Sequence, residues 1–156
     1  MKAIANLKGL VLAIAVLAGP VMAAQQETHA YLGDYRVESV SRYRGGLTTD
    51  AEAEAFVGQH VLLTPDRFQV RKVIVKNPSY KAYTIPIDQK EGIIAPKDTS
   101  IFYGYKADRK EVKRIDVYSQ TAGKPAPYPD DSFEDLGDGR LLEMYDGWFI
   151  FLGKQP

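Results

Sequence analysis

Residues 138–152 read Asp-Gly-Arg-Leu-Leu-Glu-Met-Tyr-Asp-Gly-Trp-Phe-Ile-Phe-Leu. Two Asp-Gly pairs punctuate two apolar runs. A two-residue hairpin turn of type I′ needs positive φ at both central residues, and Asp-Gly supplies it at little cost. The stretch therefore predicts an antiparallel hairpin, Arg140–Tyr145 against Trp148–Leu152, closed by Asp146-Gly147. Tyr145, Trp148, Phe149 and Phe151 are expected in the core of that hairpin.

Outward from the hairpin the same period of two recurs. Tyr35, Val37, Ser39, Ser41 and Tyr43 alternate with Arg36, Glu38, Val40 and Arg42, which reads as a first strand with one half-buried face. Thr49-Asp50-Ala51-Glu52 fits a capping box, and Ala53, Phe56 and Val57 follow at helical spacing before Gly58. Such a helix has about two turns and needs a sheet to pack on, so it reads as a lid or plug. Strands are expected at His60–Leu63, at 67–75 after the turn Thr64-Pro65-Asp66-Arg67, and at Tyr80–Ile87 after Asn77-Pro78. Two more are expected at Ile101–Tyr105 and Val112–Tyr118. Residues 121–131, with Gly123 and prolines at 125, 127 and 129, read as an irregular connection. Eight short strands and one helix predict a mainly β chain, a small antiparallel β-barrel or sandwich.

The N-terminus has a different character. Lys2 and Lys8 precede an unbroken apolar run, residues 10–18, and Val21-Met22-Ala23 presents small side chains after Gly19-Pro20. This order is that of a secretory signal peptide spanning 1–23, cleaved at Ala23 or Ala24. A helix over the apolar run covers about 14 Å, against about 30 Å of hydrocarbon, so no integral membrane segment is expected after processing. The expected product is a single domain, 24–156, in the periplasm or secreted. In it acidic side chains outnumber basic ones by two, which gives no sign of a nucleic-acid partner.

Gly33-Asp34-Tyr35 resembles the Gly-x-Trp that opens lipocalins and related calycins, with Tyr in place of Trp. The short helix ending Phe56-Val57-Gly58, the strand after it and the closing segment from Leu136 to Phe149 resemble a group of small exported bacterial proteins without an established activity. Ser100-x-x-Tyr103 is similar to the Ser/Gly…Tyr loop of periplasmic lysozyme inhibitors, lacking its Gly. These resemblances imply a β-barrel more than they imply a function.

Residues capable of catalysis are sparse. The chain has no Cys, which excludes disulfides, thiolate metal sites and a Cys nucleophile. His29 and His60 form no metal-ligand spacing, and no GxSxG elbow is present. Asp130, Asp131, Glu134, Asp135 and Asp138 read as a solvated acidic turn, and the mixed-sign run from Lys106 to Asp116 as a charged hairpin tip. No cofactor, metal ligand or catalytic residue is therefore assigned.

Aromatic residues carry the remaining interest. Phe102, Tyr103 and Tyr105 crowd one segment, and Arg42-Tyr43-Arg44 ends the first strand. Tyr and Arg favour interface hot spots, so Arg42, Tyr43, Tyr103 and Tyr105 are the candidate partner-binding residues, against the alternative that the rings fill the core. Three functions stay open: a non-enzymatic exported binding protein acting on an envelope or secreted protein, as an inhibitor or immunity factor; a lipocalin-like carrier of a small apolar ligand; and a carboxylate-based hydrolase. A filled interior with an aromatic patch outside would favour the first. A void of roughly 300 Å³ inside would favour the second.

Overall fold

A computed structural model describes residues 28–156. The segment read as an export signal, with Ala23 and Ala24, lies outside the described residues. No helix among the described residues is long and apolar enough to cross a membrane.

The C-terminal hairpin forms as its sequence dictates. β10 (Arg140–Tyr145) pairs with β11 (Trp148–Lys154), Tyr145 opposite Trp148. Asp146 and Gly147 adopt φ of 43° and 87°. A Cβ on Gly147 would stand 2.6 Å from the Arg44 carbonyl oxygen, so the position excludes a side chain twice over. The earlier pair, Asp138-Gly139, turns β9 (Asp131–Gly137) into β10 with φ of 54° and 71°.

Around this hairpin a nine-stranded antiparallel sheet assembles in the order β4-β3-β2-β1-β11-β10-β9-β6-β5. The remaining members are β1 (Gly33–Arg42), β2 (His60–Leu63), β3 (Arg67–Val70), β4 (Val73–Lys76), β5 (Ser79–Pro86) and β6 (Glu111–Tyr118). The sheet curls into a half-barrel. Phe68 of β3 and Phe133 of β9, far apart in the strand order, meet edge to face with centroids 6.1 Å apart. The Tyr80 hydroxyl of β5 donates to the Thr64 carbonyl at 2.8 Å, although no ladder joins β4 to β5. Burial pushes the Tyr80 hydroxyl well above its ordinary pKa. Tyr35, Leu63, Phe68, Ile115, Phe133, Leu141, Ile150 and Leu152 fill the concave side and are almost wholly buried. Each such side chain contributes about 1.5–3 kcal/mol.

α1 (Asp50–Glu54) closes one end of this interior. Its capping box is present: the Glu52 N–H donates to Thr49 Oγ1, and the Thr49 N–H donates to the Glu52 carboxylate at 2.8 Å. Ala53 enters the core and Phe56 packs on it. Val57, expected on the same face, is 42% exposed, because the helix stops at Glu54 and residues 55–58 turn away towards β2.

Four other expectations are corrected. The alternation along β1 breaks at a bulge between Val37 and Ser39. Tyr35 and Val37 face inward, but beyond the bulge Val40 and Arg42 take the inner side, opposite Ile150 and Trp148. Ser39 and Ser41 pair with Phe151 and Phe149 on the outer side. One inserted residue reverses the parity of the strand. The strand expected over 67–75 is two, β3 and β4, with the chain reversing at Arg71-Lys72 so that Val70 faces Val73. Arg71 sits there at φ 50° with no glycine to signal the turn. The expected strand Ile101–Tyr105 is a 3₁₀ turn, Ser100–Tyr103, ended by Gly104 at φ 83°. Residues 121–131 are not wholly irregular: β7 (Gln120–Thr121) and β8 (Lys124–Pro125) form a two-residue hairpin around Ala122-Gly123.

The acidic segment is the largest departure. Asp130 and Asp138 stay exposed, but the residues between them form β9, an inner strand between β6 and β10. Its carboxylates are paid for by donors rather than water. Glu134 is 4% exposed and Asp131 is largely buried, both ion-paired to arginines. Asp135 accepts the Gly137 N–H and the Tyr31 hydroxyl. Buried carboxylates are tolerated when so bonded.

Candidate functional site: a cleft on the outer face

Strands β6, β9, β10 and β11 present a second face, outward from the half-barrel, and residues 88–110 lie against it. The attachment begins with apolar contact among Ile87, Ile101 and Val112. It is fixed by Glu134. Its Oε1 accepts the Ser100 N–H at 2.6 Å, and its Oε2 accepts the Ser100 hydroxyl at 2.6 Å and Arg109 Nη2 at 3.0 Å. Arg109 also donates to Ser100 Oγ at 2.6 Å. Ser100 is fully buried, so the segment that resembles an inhibitor loop has its serine turned into the protein.

A second carboxylate organises the neighbouring strands. Asp116 accepts from Arg114 Nε at 3.0 Å, Ser132 Oγ at 2.7 Å, Tyr83 at 3.0 Å and Tyr118 at 3.2 Å. Arg114 reaches on to Asp98, at 2.6 Å, tying down residues 96–99. Burial pushes the Tyr83 hydroxyl up to about 12, with Arg114 pulling down and Asp116 pushing up. Burial alone would ease the proton off Arg114, but Tyr83 and Asp116 together hold it on. Arg109 and Arg114, read as part of a solvated charged tip, are thus two clamps.

Above this polar layer the aromatic residues converge on Phe149, itself 5% exposed. Tyr43 stacks on it at 4.4 Å and 23°, and Tyr103 leans on Tyr43 at 4.4 Å. Tyr105 packs on Phe149 at 5.6 Å and Phe151 at 5.4 Å. The bulge in β1 is what sends Tyr43 to this side. Three of the four candidate partner-binding residues, Tyr43, Tyr103 and Tyr105, therefore meet in one half-buried cluster. Arg42 does not join them. Its guanidinium lies 4.2 Å over the Trp148 ring on the inner side and pairs with Asp50 of α1. Phe149 and Phe151, assigned to the hairpin core, belong to this outer cluster, while Trp148 belongs to the inner one.

Beside the rings opens a cleft of about 320 Å³, with Tyr43, Tyr103, Leu142 and Met144 among its walls and Arg44, Lys97, Asp98, Arg114 and Glu134 as its charged groups. Leu142, Met144 and Glu134 carry no motif that would have marked them, because each lies in a strand whose opposite face supplies the recognisable pattern. Asp131 also borders the cleft, but its carboxylate turns inward to Arg71 and Glu143.

That inward cluster is a second polar site. Arg71 meets Glu143, 1% exposed, at 2.6 Å and 2.8 Å, and Asp131 at 3.5 Å, with the Tyr145 ring 4.0 Å away. Burial pushes the Asp131 carboxyl well up, and the neighbouring Glu143 carboxylate pushes the same way against Arg71. His60 lies apart from both sites and pairs with Asp34 at 2.9 Å. Among the described residues no group of three His, Cys, Asp or Glu side chains is arranged to hold a metal ion.

Comparison with protein-family models, with curated proteins and with solved structures gives no match for this chain.

Proposed function

We propose that this is an exported binding protein that acts without catalysis on another envelope or secreted protein, as an inhibitor or immunity factor, and that it does so through the outer cleft. The observation that carries this reading is the division of labour between the two faces. The interior, where an apolar ligand would sit, is filled by Phe68, Phe133 and their neighbours. The outer face holds Tyr43 and Tyr103 half-exposed on a support of buried, fully bonded groups. Rigid aromatic side chains beside a cleft lose little entropy on binding and make good anchors. The carboxylates nearest the cleft, Glu134 and Asp98, are committed to Ser100, Arg109 and Arg114, which favours a binding role over a hydrolytic one. Export and a lipocalin-like ancestry belong to the same proposal.

The test is capture from an envelope extract by the immobilised protein, beside its Tyr43→Ala and Tyr103→Ala variants. A partner retained by wild type and lost by both variants, with melting temperatures little changed, is the expected result. Retention that ignores both tyrosines would refute the assignment. Saturable uptake of a fatty acid or haem that quenches Trp148 would favour the carrier instead.

A further inference from the structure

Two cations of the outer cleft stand outside its ion pairs. Glu134 is saturated by Ser100 and Arg109. Asp98 is paired with Arg114, whose Nε is spent on Asp116. Asp131 faces the interior. Two cations of the lining are left, Arg44 and Lys97, both exposed and neither in an ion pair. Arg44 donates to the Gly45 carbonyl, stands 5.6 Å over the Tyr43 ring and interacts with the Tyr43 and Tyr103 hydroxyls, none of which is a carboxylate. Asp146, the acid that feels Arg44, is already held by the Thr48 N–H and hydroxyl. The next cation along the cluster, Lys106, lies 6.0 Å over Tyr105 and is also exposed. The aromatic platform is thus rimmed by three exposed cations, Arg44, Lys97 and Lys106, that enter no ion pair among the described residues.

We infer that the cleft takes an acidic side chain from a protein partner, with the carboxylate between Arg44 and Lys97 and the aliphatic stem against Tyr43, Tyr103, Leu142 and Met144. This rests on reading the outer face as a protein-binding surface, and it adds what that surface recognises. A volume of about 320 Å³ suits one or two side chains of an inserted loop better than an extended chain. A guanidinium and an ammonium flanking apolar walls match a carboxylate on a short methylene stem. Uncommitted cations also steer an acidic partner inward from about 10 Å at 0.1 M salt.

The test uses matched acidic, neutral and basic peptides displayed multivalently, so that weak single contacts become measurable. The immobilised protein should retain acidic peptides selectively. An Arg44→Glu, Lys97→Glu double variant should retain them about tenfold less, with an unchanged melting temperature, and added salt should mimic the loss. Retention without acidic preference overturns the inference, as does acidic retention that survives charge reversal. Retention of an anionic polysaccharide in place of the peptides does so too. An envelope protein whose capture needs Tyr103 but not the two cations overturns this inference and leaves the binding-protein reading standing. If wild type retains neither peptide nor envelope protein, both fall.

Discussion

The two faces of strands β6, β9, β10 and β11 are built from alternate residues of the same segments, yet they are stabilised in different ways. Inward, Phe133, Leu141, Ile150 and Leu152 interlock and exclude water. Outward, Glu134, Asp116 and Arg114 anchor an irregular segment through directional bonds, and aromatic rings close the gaps. Burial is non-directional and tolerates exchange of one apolar side chain for another. A buried carboxylate does not, since each of its oxygens must keep its donors. The inner face therefore specifies that the chain folds, and the outer face specifies the shape it offers.

Substitutions can break this contrast or sharpen it. Phe133→Ala should have the largest effect, about 3–5 kcal/mol of lost stability in a denaturant melt, because it empties the centre of the half-barrel. A loss under about 1 kcal/mol would mean that the interior is loosely packed. Glu134→Ala should cost about 3 kcal/mol, since it strands Arg109 without its carboxylate. It should also raise amide exchange across Ser100–Tyr105 far more than in β10 and β11. Uniform exchange throughout would show that the outer segment is not an independent layer.

Gly147→Val should cost about 1–3 kcal/mol through forced positive φ and collision with the Arg44 carbonyl. It tests the hairpin on which both faces depend, and a melt within error of wild type would contradict the turn.

Asp131→Asn probes the Arg71–Glu143–Asp131 cluster on the inner side. The Asp131 carboxyl is raised in the folded chain, so the folded chain keeps a proton that the unfolded chain has released. That contribution is full below the unfolded carboxyl range, near about 3.9, and is lost as pH climbs through the folded value. The Asn variant cannot ionise, so its stability relative to wild type should improve as pH rises above the unfolded carboxyl value of about 3.9. A difference that stays flat over that rise would show that Asp131 is ionised throughout.

Tyr103→Ala should be the mildest, about 1 kcal/mol or less, since one half-exposed ring contact is removed. Melting is the measurement, and a loss as large as that of Phe133→Ala would make Tyr103 a core residue.

The same contrast explains what could be read from the chain itself. The hairpin was legible because Asp146-Gly147 has one favoured geometry and the apolar runs beside it are long. α1 was legible because Thr49 and Glu52 cap it reciprocally. β9 was not, because its burial rests on Arg71, Arg109 and Ser100, which are remote in sequence and leave no periodic trace. The turn at Arg71-Lys72 leaves no signal in the sequence because its positive φ is borne by an arginine, with Glu143 and Tyr145 holding the side chain. The aromatic crowding at Tyr43, Tyr103 and Tyr105 is visible in the sequence. Their meeting was not foreseen, since it depends on a bulge of one residue in β1 and on a 3₁₀ turn where a strand was expected. Arg42 was misgrouped with its neighbour for the same reason: that bulge sets it on the opposite side of the sheet.

The pairing of β1 with β11, Arg36 opposite Gly153, has a kinetic consequence. The central ladder of the sheet joins the two ends of the folded region, so its contact order is high. Closing a loop that long adds only slowly to the entropic cost, but non-local pairing of this kind slows folding. A chain emerging N-terminus first, from a ribosome or through a narrow channel, keeps β1 without its β11 partner until Trp148–Lys154 has emerged. Refolding should accordingly behave as one late cooperative step, and removal of the last strand should abolish it.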